Sequence, residues 1–301
     1  MRFTVFTPTY NRAHTLDRLY HSLQRQTFRD FEWIVVDDGS TDNTRNTIKR
    51  FIDEKPFFEI KYFYTENGGK HRAINRAISV AEGNLFFIAD SDDHLTDDAL
   101  YKVDEIEKTI PSDKKDQFAG VCGLDGYDFK TQVGTTFSDL EYLDITGFER
   151  EKYNIKGDKK EVFYTDVLRK YPFPTFDNET FISEGIVWDR MAKDGLKLRY
   201  FNEIIYLCEY QPEGISNNQS TYFVNSPKGW ALFINEYIVN YKLGFKSKWN
   251  MIYGYYGSMK KFLPIKTMAN SFNVNTVYFK IIMFIIRFHK KLSNLLKDVH
   301  L

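Results

Sequence analysis

Short apolar runs and amphipathic stripes alternate through the first part of the chain. Residues 3–7 are rich in β-formers and stop at Pro8. Over residues 13–26, Leu16, Leu19, Tyr20 and Leu23 recur at helical spacing. A second apolar strand, 32–36, runs into Asp37-Asp38-Gly39-Ser40, and 41–53 carries Ile48, Phe51 and Ile52 on one helical face. Residues 59–64 repeat the strand signal before Asn67-Gly68-Gly69, and Ala73, Ile74, Ala77 and Ile78 form the next stripe. Residues 85–89 close the series and end in Asp90-Ser91-Asp92-Asp93. This β-α-β-α-β-α-β order predicts an α/β fold with a mostly parallel sheet and helices on both faces. Ligands of such sheets bind beyond the carboxyl ends of the strands, where loops 8–11, 37–40, 67–70 and 90–93 all emerge.

From 118 to 207 the pattern shifts to shorter strands and long polar loops, with helices expected near 166–170 and 183–194 and strands within 131–147. Beyond Ser216 the expectation is helical, over 229–241, 247–262 and 277–296. The expected organisation is an α/β domain over 1–215, with halves 1–125 and 126–215, and a helical region over 216–301. No internal repeat is evident.

Composition narrows the classes. Lys+Arg and Asp+Glu balance at 41 each, so there is no basic surplus of the kind a nucleic-acid partner requires. Aromatics reach 17%, with 27 Phe and 20 Tyr, which reads first as a Phe-rich core and second as stacking platforms. Cys122 and Cys208 stand in apolar contexts and read as small core residues in a reducing compartment. No charged, apolar leader precedes residues 3–7, and a cytoplasmic location is expected.

The loops carry the candidate chemistry. Three carboxylates within Asp90–Asp93 repel one another unless a cation or strong donors compensate them. Mg²⁺ or Mn²⁺, held by one or two carboxylates and substrate phosphates, is a natural compensator. Helix capping by Asp93 or Thr96 is the plain alternative. An Asp after the second strand can accept from a base N–H or a ribose hydroxyl, Tyr10 can stack on a base, and a Gly-rich turn followed by Lys70 favours a diphosphate.

The motifs T-P-T-Y-N-R at 7–12, V-V-D-D-G-S-T-D at 35–42, N-G-G-K-H at 67–71, A-I-N-R-A at 73–77 and F-I-A-D-S-D-D at 87–93 occur in order. Together they resemble the nucleotide-binding half of inverting family 2 glycosyltransferases with the GT-A fold. The resemblance is strong over 1–125, fair to about residue 215 and weak beyond. It implies a nucleotide-sugar donor, most often UDP-linked, and a saccharide or lipid-linked acceptor in cell-surface polysaccharide or lipopolysaccharide assembly. Pro8 and Tyr10 would line the base pocket, Asp38 would bind the base, and Lys70 would approach the ribose or diphosphate. Asp90 and Asp92 would be the two acids of the D-x-D motif, Asp92 the metal ligand, with Asp93 as the alternative. The catalytic base falls on Glu184, although Gly185 replaces the acid usual at the next position, and Asp189 and Glu179 follow behind it. His71 and His94 flank the site and are left out of catalysis.

The segment 278–291 is strongly apolar with embedded and trailing basic residues, and too short to span a bilayer comfortably. Lying in the interface of a membrane and packing on the rest of the protein or a partner subunit are both open for it. Two rival functions remain: a non-catalytic nucleotide-sugar or carbohydrate-binding protein, suggested by Gly185, and, further behind, a nucleotidyltransferase. A dehydrogenase is disfavoured because no G-x-G-x-x-G follows the first strand.

Overall fold

The computed structural model describes residues 1–137, 140–209 and 215–298, apart from the side chains of 215–217, 219 and 292–298. The chain divides into two compact units. Unit 1 comprises Met1–Thr175 and Glu184–Asn218, and unit 2 comprises Phe176–Ser183 and Gln219–Leu301.

Unit 1 runs β1 (Phe3–Thr9), α1 (Leu16–Gln24), β2 (Phe31–Asp37), α2 (Thr44–Asp53), β3 (Glu59–Tyr64), α3 (Lys70–Val80), β4 (Leu85–Ile88), β5 (His94–Leu95), α4 (Ala99–Lys108), β6 (Phe118–Gly126), β7 (Tyr142–Ile145), β8 (Lys159–Tyr164), α5 (Thr165–Leu168), α6 (Gly185–Lys193) and β9 (Lys197–Leu207). The strands form one sheet in the order β3-β2-β1-β4-β8-β6-β9-β5, with β7 also paired to β9. Strands β1 to β4 are mutually parallel. Strand β8 runs against both β4 and β6, and β6 lies parallel to β9, so β6 and β9 point the same way as β1 to β4. Only β5, β7 and β8 run the other way among the described residues. The carboxyl ends of β1, β2, β3, β4, β6 and β9 therefore share one rim, and β8 begins there.

Strands β1, β2 and β4 are buried at almost every position, as strands covered on both faces are. The aromatic excess goes largely into the cores. Tyr20 stacks on Phe51 with ring centroids 4.0 Å apart, and Trp33, Phe31 and Phe58 complete that cluster. Both cysteines are free, and Cys122 is buried in β6.

The strand expectation over 131–147 holds only for β7. Gly134, at φ 72°, turns the chain, and Gln132 makes a single bridge to Gly126. Residues 138–139 lie outside the described residues. Helices α1 and α2 begin three residues later than their apolar stripes suggest, because Asn11 (φ 54°) and the turns that follow occupy the approach.

Unit 2 is helical. Helix α7 (Ile215–Asn225), kinked at Asn218, contains the division between the units. It is followed by α8 (Pro227–Asn240), α9 (Phe245–Met259), α10 (Ile265–Ser271) and α11 (Thr276–Asp298). The unit has its own core, built on Trp249, Ile252, Tyr255, Met259, Met268, Phe279 and Met283.

Candidate functional site

The rim of unit 1 is assembled by ties between its loops. Asn11, in the left-handed region after β1, accepts through its side-chain oxygen from the amides of Thr41 (2.8 Å) and Asp42 (3.3 Å), and its own amide donates to Ser40 Oγ at 2.8 Å. Asp38 turns toward the next loop. Its two carboxylate oxygens accept from the amides of Gly68 at 2.8 Å and Gly69 at 2.7 Å. Burial pushes the Asp38 carboxyl above the usual range, against the pull of those two amides. Gly39 must be a glycine: its φ is 87°, and a Cβ there would lie 2.8 Å from Asn67 N. Gly69 (φ 92°) makes the same demand just ahead of α3.

That turn delivers Lys70 to the centre of the rim. Its Nζ lies 2.7 Å from Asp90 Oδ1 and 2.8 Å from Glu184 Oε1. Burial opposes the ammonium, but the two carboxylates outweigh it and hold the Lys70 pKa well above the ordinary lysine value. Partial burial works against the Asp90 charge, yet Lys70 and then Lys160 keep its carboxyl below the usual range. Glu184 stands immediately before α6, so one ammonium joins the end of β4 to the start of α6.

The remaining acids are less compensated. Burial and the neighbouring Asp90 charge push the Asp92 carboxyl upward, and the nearest cation, Arg12 Nε, is 3.9 Å from its Oδ2. Asp93 is pushed up to about 7 by burial and by Asp90, while its Oδ1 accepts from the Glu209 amide at 2.8 Å. No group of three or more His, Cys, Asp or Glu among the described residues forms a ready metal cage. The chemistry of Asp92 nevertheless fits a divalent ion of the kind that takes one or two protein carboxylates and completes its shell with phosphate and water. Asp92 is a half-buried carboxylate with surplus negative charge beside it.

Strand β1 runs on through Pro8, which pairs with Val36, to Thr9, and Tyr10 follows on the same rim, half exposed to solvent. Glu179 belongs to unit 2, where its carboxylate accepts from the amides of Lys228 at 2.9 Å and Gly229 at 2.8 Å at the start of α8. This is a helix-capping role. Asp189 lies on α6, one turn beyond Glu184. His71 is buried with no hydrogen-bond partner on either ring nitrogen, and burial holds its pKa down to about 4.

Four residues of the site escape the sequence reading. Arg18 on α1 reaches the Asp92 carbonyl oxygen and the Glu209 carboxylate together. Tyr206 on β9 accepts from the Asp90 amide at 2.6 Å. Lys160, on β8, lies 3.4 Å above the Tyr206 ring and donates to the Ile88 carbonyl at 3.2 Å. Burial disfavours its charge, but Asp125 and Asp90 raise its pKa overall. Glu209, just past β9, ties that strand's end to the acid turn.

Residues 4–136 match the family described as glycosyl transferase family 2. The chain is 35% identical over 198 residues to the GalNAc(5)-diNAcBac-PP-undecaprenol β-1,3-glucosyltransferase of Campylobacter jejuni, covering 64% of this chain and 60% of that one. It is 35% identical over 102 residues to the poly(ribitol-phosphate) β-N-acetylglucosaminyltransferase TarS of Staphylococcus aureus, covering 33% of this chain and 18% of TarS. The matched stretches thus span less than two thirds of either relative. In three dimensions, TarS 1–349 in complex with UDP-GlcNAc superposes at a TM-score of 0.57 and 17% identity, covering 95% of this chain and 92% of that one. The Pyrobaculum calidifontis mannosyltransferase PcManGT, in complex with GDP-Man and Mn²⁺, gives 0.52 and 20% identity, with 79% and 64% covered. These likenesses define the fold as GT-A. The match to the family 2 description is confined to residues 4–136, within the sheet-bearing unit.

Proposed function

We propose that the protein is an inverting, metal-dependent glycosyltransferase that moves a sugar from a UDP-linked donor to the hydroxyl of a saccharide or lipid-linked saccharide in cell-surface polysaccharide assembly. The observation that carries this reading is the Lys70 ammonium held between Asp90 and Glu184. It joins the acid turn after β4 to a carboxylate at the start of α6, where an acceptor would approach.

In the working complex, Tyr10 and Pro8 take the base, with Asp38 as an acceptor for it while it holds the Gly68-Gly69 turn. Asp92, with Asp90 beside it, would hold a Mn²⁺ or Mg²⁺ ion, which would supply positive charge to offset that of the leaving diphosphate. Lys70 moves from its carboxylates toward the diphosphate and adds a fixed positive charge there. Its departure frees the Glu184 carboxylate to take the proton of the acceptor hydroxyl as that oxygen attacks the anomeric carbon from the opposite face. A single displacement inverts the configuration. The relative from Campylobacter jejuni is named for an undecaprenol-linked substrate, which supports a lipid-linked acceptor, and with it a place at a membrane face.

Calorimetry of UDP binding with and without Mn²⁺ tests the donor site. Mn²⁺ is expected to tighten UDP binding, and Asp92→Ala to weaken the Mn²⁺-dependent binding by at least ~10-fold, or about 1.4 kcal/mol. Absence of binding to UDP, GDP and dTDP under every metal condition would sink the reading. For the base, Glu184→Gln should lower kcat by roughly 10²–10⁴-fold while UDP still binds, whereas Glu179→Gln should leave kcat in place. The second reading, a nucleotide-sugar-binding protein without turnover, draws on Gly185 after Glu184. Donor bound with neither transfer nor hydrolysis would select it.

A further inference from the structure

The charges of this chain balance only as a whole. Between Tyr237 and Lys297 there are eleven Lys and Arg and no Asp or Glu, so residues 1–236 hold 30 basic against 40 acidic residues. The basic surplus falls in unit 2, whereas the acidic segments that build the rim belong to unit 1.

The same unit leaves an apolar helix face bare. Helix α11 buries Phe279 and Met283 in the core of unit 2 and packs Ile282 and Ile286 against it. Its other side carries Val277, Ile281, Phe284, Ile285 and Phe288, all exposed, with Phe284 at 69% and Phe288 at 61%. These positions follow i, i+4, i+7, i+8 and i+11, which is one continuous stripe on a helix. Lys280, Arg287 and Lys291 follow i, i+7 and i+11, a second row flanking the first, and all three are exposed. Beyond α11, Phe245 and Phe262 of unit 2 are also exposed, at 66% and 67%. A bare apolar row of this size calls for a cover.

We propose that this face of α11 docks on an anionic lipid surface, with the apolar row entering the headgroup boundary and Lys280, Arg287 and Lys291 meeting lipid phosphates. The charge pattern selects this occupant. A second copy laid on the same stripe would set two basic rows side by side with no acid nearby to relieve them. A nucleic acid would meet the flanking row but leave the Phe and Ile stripe in water. No helix among the described residues is long and apolar enough to cross a membrane, so α11 lies on the surface rather than through it. This inference deepens the membrane-face location proposed above by naming the surface responsible.

Flotation of the full-length protein with vesicles of equimolar phosphatidylglycerol and phosphatidylcholine, against phosphatidylcholine alone, tests it. The expected result is binding to the anionic vesicles that weakens with salt. It should drop by at least tenfold in the double variant Phe284→Gln, Phe288→Gln and by about a hundredfold in the triple variant Lys280→Ala, Arg287→Ala, Lys291→Ala. All five side chains are exposed, and circular dichroism with UDP binding on the same preparations verifies the fold. Wild-type binding that is absent, or unchanged in both variants, overturns the proposal. So does a concentration-dependent dimer that the Phe variant abolishes, or RNA binding that the Lys/Arg variant abolishes while vesicles are ignored. UDP binding measured in parallel keeps failure of this surface distinct from failure of the donor site.

Discussion

Lys70 lies 2.7 Å from one carboxylate and 2.8 Å from another, so removing its charge leaves Asp90 and Glu184 to repel each other. Lys70→Met is expected to lower kcat by about 10²–10³-fold, the usual effect of losing one donor aimed at developing charge. Lys70→Arg should recover part of it. Steady-state kinetics with the cognate sugar donor would measure both, and a kcat untouched by Lys70→Met would refute the assignment. The neighbouring His71 has a different consequence. Its folded pKa of about 4 lies below the ordinary value of 6.5, so between those pH values the unfolded chain binds a proton that the folded chain refuses. Stability from this residue is fully present above pH 6.5 and is lost as pH falls toward 4, an effect of about 3 kcal/mol. Urea unfolding across that window should show a flatter pH dependence in His71→Leu than in the wild type. Parallel slopes would mean that His71 does not titrate this way.

At the scale of elements, the site depends on turns that are cheap only for particular residues. Gly39→Ala combines a φ of 87° with a Cβ 2.8 Å from a backbone nitrogen, so the Asp38–Gly68–Gly69 tie must shift. The expected cost is roughly 1–3 kcal/mol in urea unfolding, with weaker UDP binding. An unchanged midpoint would show that the two loops move independently. These turns were legible in the sequence because Gly-Gly, Asp-Gly and the acid run break strong apolar periodicity at strand ends. The far half of the rim was not. Lys159-Lys160-Glu161 is a run of three charged residues, yet both lysines are buried: Lys159 donates to the Val133 and Lys156 carbonyls at 2.8 Å, and Lys160 packs over Tyr206. Arg18 likewise occupies a polar position of an amphipathic helix, and only the folded sheet shows that it reaches the acid turn. Local pattern reports which face of an element is apolar; it does not report which polar residue of that face meets another element far along the chain.

At the scale of the whole molecule, the two units have separate cores and opposite charge. The first packs around the aromatic cluster beneath β1 and β2, and the second around Trp249, Tyr255 and Phe279. With apolar burial divided between two cores, unfolding need not be one cooperative event. Scanning calorimetry is expected to resolve two transitions. UDP with Mn²⁺, supplied at a hundredfold excess over its dissociation constant, adds about 2.7 kcal/mol to whatever unit binds it. For a unit of this size that is a shift of roughly 5–10 °C. The shift should appear in the transition of unit 1 alone, because Tyr10, Asp38, Lys70, Asp90, Asp92 and Glu184 all belong to it. Phe284→Gln with Phe288→Gln should leave that ligand-induced shift intact. A single transition that moves as a whole with UDP would show instead that the helical unit unfolds only together with the sheet, and that a donor bound at the rim stabilises the surface carried by α11 as well.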